Sequence, residues 1–249
     1  QKTSAFRVQI EVGGEQKHVV FLDTPGHQAF SEMRSRGANM TDVVVLVVGA
    51  PEGVMPQTVE SINHAKAAKV PIVVALNKID SPQATDGQIQ KIYGQLAEQG
   101  LNPVPWGGQT EVVPTSALKG TGINELLEIL DLQQQVLDLK ADFAGPARGR
   151  VIEATLAEGR GAVATILVQQ GELNVGDFIV VGRGFGKVRD IADDQGRRLK
   201  SATPGMPITI SGLDEVPDAG DPFFVTESLR KAQEAAEQRR QREREAQLQ

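Results

Sequence analysis

Two stretches of this chain, Asp42 to Val48 and Val70 to Leu76, are dense in valine and isoleucine and carry little polar alternation. A strand with one wet face alternates apolar and polar residues. A run without that alternation suits a strand covered on both faces, as in a parallel sheet flanked by helices. The intervening sequence supplies the cover. Val59, Ile62, Ala65 and Ala68 recur at helical spacing, and Gln88 to Gln99 and Gly122 to Lys140 repeat that period, the last through Ile123, Leu126, Leu127 and Leu130. Val112 to Pro114 is a shorter strand of the same kind. Strands alternating with helices predict an α/β domain on a mostly parallel sheet. Ahead of it, Ala5 to Val12 places Phe6, Val8, Ile10 and Val12 on one face, Gly13-Gly14 signals a turn, and Lys17 to Leu22 completes a hairpin.

The pattern changes near Gly145-Pro146. From Arg150 to about Thr226 the runs are short and β-branched, at Val151 to Leu156, Ala162 to Val168, Phe178 to Val181, Gly186 to Ile191, Pro207 to Leu213 and Phe223 to Thr226. Gly171, Gly176, Gly196, Gly205 and Gly220 punctuate them. This predicts an all-β barrel or sandwich. Leu229 to Gln249 is Arg, Glu, Gln and Ala with almost no apolar face, which reads as a solvated helix or connector. The expected division is thus 1–141, 145–227 and 228–249.

Composition narrows the function. Against 26 Lys and Arg stand 32 Asp and Glu, a net charge of −6, so the chain as a whole is no basic nucleic-acid binder. Without cysteine there is no disulfide framework, thiolate zinc site or cysteine nucleophile. His18 has no metal-spaced partner, His64 reads as a surface or half-buried side chain of its helix rather than a ligand, and Trp106 reads as packing a loop. The longest apolar run, Val43 to Val48, is too short to cross a bilayer, and no signal segment opens the chain. A soluble, cytoplasmic protein is expected. It opens on Gln1 rather than Met, which suggests a start inside a longer protein.

Chemistry concentrates where the strands end. Asp23-Thr24-Pro25-Gly26-His27 follows the strand ending at Leu22. A carboxylate there lies where α/β sheets bind ligands and suits Mg²⁺ held partly through water. Gly26 lets a backbone N–H approach a phosphate, and His27 is placed to orient a water. The same residues also suit a simple strand-ending turn. Asn77-Lys78-Ile79-Asp80 follows the next buried strand. Its carboxylate can accept from the adjacent N–H and NH₂ of guanine, a pair that adenine lacks, and the Lys78 stem can lie along a purine plane. A helix N-cap is the competing use. Ser116-Ala117-Leu118-Lys119 follows a third strand, where small side chains let backbone N–H groups reach a base carbonyl. Three strand-end motifs in this order compose the parts of a magnesium–guanosine phosphate site.

From Asp23 to Asp80 the chain resembles the G domain of translational GTPases, most closely the bacterial-type translation initiation factor 2 family. Gly53-Val54-Met55-Pro56-Gln57-Thr58 is shared in form with elongation factors, while Phe30 to Arg36 with Gly37-Ala38, Trp106-Gly107-Gly108 and Leu132 to Lys140 point to the initiation factor. The likeness runs from Gln1 to about Arg244. It implies a P-loop-GTPase-like G domain followed by the family's second, β-barrel domain, with Arg160-Gly161-Ala162-Val163-Ala164-Thr165 as its best-matching turn, and then a helical connector. It implies GTP and GDP as ligands with Mg²⁺ on Asp23, Gly26 at the γ-phosphate and His27 positioning the hydrolytic water. Thr24 and Pro25 would belong to the same loop, and Asn77, Lys78 and Asp80 would bind guanine with the Ser116, Ala117 and Leu118 loop. The implied partners are the ribosome, its small subunit through the barrel and its large subunit through the G domain, and initiator tRNA through domains beyond these residues. No membrane partner and a monomer are expected.

The departures from that family are equally specific. No G-x-x-x-x-G-K-[ST] phosphate loop occurs anywhere in the sequence, and the family's switch threonine is missing, Thr3 lying too close to the strand to replace it. The absent part would carry the central strand of the sheet. Expected consequences are unpaired sheet edges, poor GTP binding by this chain alone and negligible hydrolysis, with the parent protein doing both. The alternatives are a catalytically inactive ribosome-binding fragment and an elongation-type aminoacyl-tRNA carrier. The second is disfavoured by the Trp106 loop and by the polar helix after the barrel. Within the barrel, Arg197, Arg198 and Lys200, or Arg183 with Lys187 and Arg189, are candidate contacts to RNA phosphates, and ordinary charges of solvated loops are the equal alternative.

Overall fold

The computed structural model describes residues 3–26 and 31–248. β1 (Ser4–Val12) and β2 (Glu15–Asp23) form the hairpin, turning at Gly13 and Gly14, both at positive φ. Among the described residues they pair only with each other. Ile10 and Val19 are buried, and Phe6 stacks on Phe21 with centroids 5.6 Å apart.

The alternating region follows as α1 (Ser31–Met40), β3 (Val44–Gly49), α2 (Pro56–Ala67), β4 (Ile72–Asn77), α3 (Asp86–Glu98), β5 (Val112–Pro114) and α4 (Ile123–Leu137). β3, β4 and β5 form a parallel sheet in that order, in register Val44↔Ile72 and Val74↔Val112. The unalternated strands fill its core: Leu46, Val48, Val74 and Leu76 pack with Ile62 of α2 and with Ile92 and Leu96 of α3. α3 starts where Thr85 caps it, its hydroxyl accepting from the Gln88 N–H. Val47 of β3 is 62% exposed, unusual for valine in a strand of this type.

Beyond residue 145 come β6 (Arg148–Ala157), β7 (Gly161–Gln170), β8 (Leu173–Asn174), β9 (Phe178–Val181), β10 (Gly184–Ala192), β11 (Arg198–Leu199), β12 (Ser201–Ala202), β13 (Pro207–Leu213) and β14 (Pro222–Thr226). β10, β13, β7, β6, β14 and β9 pair antiparallel in that order, and β9 pairs back onto β10, closing a six-stranded barrel. Alternate residues from every wall, among them Val151, Ile166, Ile179, Ile191, Ile210 and Phe223, fill it. α5 (Leu229–Gln247) departs from the solvated helix read from composition. Its Ala232 and Ala236 are fully buried against Val180, and Arg239 lies 5.1 Å over the Phe224 ring. Two alanines suffice for a seam because small residues let the helix approach closely.

By contacts the chain divides into two units. One comprises Glu11–Glu15 and Thr24–Leu139; the other groups the rest of the hairpin with the barrel and α5. Among the described residues no helix is long and apolar enough to cross a membrane.

Candidate functional site

The strand-end motifs after β4 and β5 interlock. Asn77 closes β4, and its Oδ1 accepts from the Ala117 N–H at 3.0 Å and the Thr115 hydroxyl at 3.2 Å. Asp80 Oδ1 accepts from the Ser116 hydroxyl at 2.8 Å, and Ser116 Oγ in turn accepts from the Lys119 N–H at 3.1 Å. The Ile79 N–H donates to the Thr115 carbonyl at 3.1 Å. Thr115 and Ser116 are buried, which makes their polar partners obligatory; Leu118 beyond them is 86% exposed. The Ser116 hydroxyl, ahead of the backbone, holds the Asp80 carboxyl below the usual carboxylate range. Asp80 therefore stands as a charged, exposed acceptor, and the amide of Asn77, its oxygen committed internally, presents its NH₂. A carboxylate, an amide NH₂ and a loop of backbone N–H groups in one cluster suit a ring that offers an N–H, an NH₂, a ring nitrogen and a carbonyl.

Lys78 sits at φ +59°, in the left-handed region, and its Nζ donates to Glu52 Oε1 at 2.5 Å. Glu52 lies in the loop after β3. That loop is tied down where the Ala50 N–H donates to the Asn77 carbonyl at 2.8 Å.

Thr24 and Pro25 pack against α1. The Arg34 guanidinium donates through Nη1 to the Pro25 carbonyl at 3.0 Å and through Nη2 to Glu60 Oε1 of α2 at 2.8 Å. The approach is close at position 37, where a Cβ would come within 2.9 Å of Thr24 Cγ2 and one of the two would have to shift. Glu60 also meets His64 Nε2 at 3.2 Å, which lies 3.2 Å from the Ser31 hydroxyl. The Ser31 hydroxyl first, then Arg34 and His64, lower the Glu60 carboxyl to about 2 against the burial that opposes this. His64, read from the sequence as a bland helical side chain, is thus part of the brace behind the Thr24–Gly26 loop.

Asp23 closes β2 in the other unit and is exposed. His27 lies outside the described residues. Among the described residues no three His, Cys, Asp or Glu side chains gather into a metal cage. A lone carboxylate fits only a cation that keeps its waters and arrives with phosphate oxygens. Arg34, Glu52, Glu60 and Thr115 escaped sequence reasoning because their contacts join positions 9 to 38 residues apart that share no motif. Three of the six candidate RNA contacts of the barrel make surface ion pairs. Arg197 pairs with Asp193 at 2.8 Å, Arg198 with Asp190 at 3.7 Å and Arg183 with Glu243 at 3.4 Å.

Residues 2–135 match the family model of the elongation factor Tu GTP binding domain, and residues 146–226 that of elongation factor G domain 2. A protein of Caldanaerobacter subterraneus subsp. tengcongensis named translation initiation factor IF-2 is 55% identical over 232 residues, covering 93% of this chain and 32% of the relative. One of the same name from Thermodesulfovibrio yellowstonii is 50% identical over 249 residues, 100% of this chain and 32% of its own length. The chain therefore spans about a third of the length of these curated relatives. Among solved structures, GDP-bound aIF5B from Aeropyrum pernix superposes with a TM-score of 0.72 at 28% identity, over 89% of this chain and 46% of that one.

Proposed function

This chain belongs to the translational GTPases, and we propose that it supplies the guanine-recognising part of the G domain and the adjoining barrel of a bacterial-type translation initiation factor. The observation that carries the reading is the interlock of Asn77 with Thr115 and Ala117, and of Asp80 with Ser116. Asp80 accepts from the base N–H and NH₂, the Asn77 NH₂ donates to a ring nitrogen, and the Lys78 stem lies along the ring. The Ser116, Ala117 and Leu118 loop meets the base carbonyl. For Ala117 this exchanges its bond to Asn77 for one to the ligand. At the phosphate end, Asp23 would serve as the carboxylate for Mg²⁺, and the Gly26 backbone would meet the γ-phosphate. His27 orients the attacking water. The magnesium supplies charge neutralisation on the phosphates; the chain's own part is to place the loop, through Arg34 and Glu60.

In the whole protein this site drives GTP hydrolysis coupled to placement of initiator tRNA and joining of the ribosomal subunits. The barrel meets the small subunit and the G domain the large one, in a cytoplasmic monomer. For the present polypeptide alone, the missing phosphate-loop motif favours a second reading, ribosome docking without turnover. The first reading is tested by subunit joining followed by light scattering with the full-length gene product. GTP should stimulate joining and ATP should not. Asp80→Asn should lose the GTP response and recover it with XTP, whose C2 carbonyl pairs with an amide. Joining that is indifferent to the nucleotide base would sink the proposal.

A further inference from the structure

We propose that Glu52 is a positioning residue for the purine: by holding Lys78 Nζ it lays the lysine stem across the ends of β3 and β4, so that one wall of the base site stands before the nucleotide arrives. The inference rests on the guanine-binding reading above and adds a residue that none of the motifs contains. Its geometry is built from several directions. The ammonium–carboxylate distance is 2.5 Å, and both ends are solvent-facing, so the pair is held by its supports rather than by burial. Those supports are specific. The Gly53 N–H donates to the Gly49 carbonyl at 2.8 Å, Gln88 Nε2 to the Ala50 carbonyl at 3.0 Å, and the Val54 N–H to Gln95 Oε1 at 3.1 Å. The Glu52 carboxylate folds over Gly49, where any Cβ would collide with its Oε2. At the other end, the left-handed φ of Lys78 sets the direction in which the stem leaves the backbone.

A lysine side chain has many rotamers, and a ligand that must order it loses affinity for doing so. Ordering by Glu52 in advance removes that cost from the binding step. The lysine meets the base rather than the phosphates, so the benefit is the same for nucleoside di- and triphosphates.

The test is equilibrium and stopped-flow binding of mant-GTP and mant-GDP to the full-length gene product. Glu52→Gln is expected to weaken both ligands by the same factor, about 3- to 10-fold, the size expected for one ordered side chain. The difference from wild type should shrink in 1 M salt, because the pair is exposed. In a Lys78→Met background Glu52→Gln should have no further effect. Gly49→Ala, which displaces the carboxylate while keeping its charge, should reproduce the loss. Unchanged or tighter binding by Glu52→Gln, or a loss confined to GTP, overturns the proposal. Asp80→Asn in the same assay separates the two levels of inference. If it keeps its preference for GTP over XTP, the guanine reading itself is at fault; if it switches, a null result at Glu52 counts against Glu52 alone.

Discussion

Thr115 is 2% exposed, and its hydroxyl donates to the Asn77 side chain, so one methyl-for-hydroxyl exchange isolates what orients the amide. Thr115→Val keeps the shape and removes that bond. It should cost about 1 kcal/mol of stability, the net worth of a neutral hydrogen bond. In the full-length protein it should weaken GTP and GDP alike by roughly 5-fold, about the same energy. Urea denaturation and nucleotide titration read the two effects separately. Glu60 offers a different handle, its acidity. Its carboxyl titrates at about 2 in the fold against an ordinary 4.5. The folded value is the lower one, so the Ser31, Arg34 and His64 contacts stabilise fully above about 4.5, and the benefit is lost as pH falls toward 2. Trp106, the only tryptophan, reports on this same unit. The urea midpoint from its fluorescence should fall more steeply between pH 4.5 and 2 in wild type than in Glu60→Gln. Parallel curves would show that the brace carries no linked proton. Asn77, Asp80, Ser116 and Ala117 were legible in the sequence because each follows a run that must be a strand, and strand ends converge. Arg34, Glu52 and Glu60 were not, since a salt bridge across 26 residues leaves no periodic trace.

Elements followed the same division. β3, β4, β5 and most barrel strands were readable because β-branched runs bounded by glycine have few other uses. α1 was not. Its buried face is Arg34, Gly37, Ala38 and Met40, a guanidinium and small residues in place of an apolar stripe. The strands β8, β11 and β12 span two residues each and cannot show a period. α5 is the instructive failure, for a composition that looks wholly solvated still docks. Beyond its two buried alanines, Arg239 donates to the Gly182 carbonyl at 3.0 Å, and Arg240 to the Arg183 carbonyl at 2.9 Å and to Asp214 at 2.7 Å. The backbone carbonyls of the β9–β10 turn thus receive guanidinium groups in place of water. Ala236→Asp buries a charge in this seam and should release the helix, costing the barrel about 2–3 kcal/mol. Loss of far-UV helical signal with an intact β spectrum, together with a lower thermal midpoint, is the expected result. An unchanged midpoint would mean that the helix adds nothing to the barrel.

At the scale of the whole polypeptide, the question is how much binding a base site can generate without a phosphate cradle. The parallel sheet has three strands, the hairpin pairs only with itself among the described residues, and the sequence holds no G-x-x-x-x-G-K-[ST] motif. Backbone N–H groups and a lysine on the phosphates are what separate tight from weak nucleotide binding in P-loop enzymes. What is left here is a few hydrogen bonds to the base, one of them charge-assisted, at about 1–3 kcal/mol each before ordering costs. A net of about 4 kcal/mol corresponds to a dissociation constant near 1 mM. Such a site cannot count phosphates. GMP, GDP and GTP should therefore bind this 249-residue chain with affinities within roughly 3-fold of one another, all sensitive to Asp80→Asn, whereas ATP should not compete. Titration followed by amide shifts of the Asn77–Asp80 and Ser116–Leu118 loops measures this directly. Micromolar GTP binding, or a steep rise in affinity from GMP to GTP, would mean that the Thr24–Gly26 loop and its neighbours already form a phosphate site, and the division of labour argued from Asn77 and Asp80 would have to be redrawn.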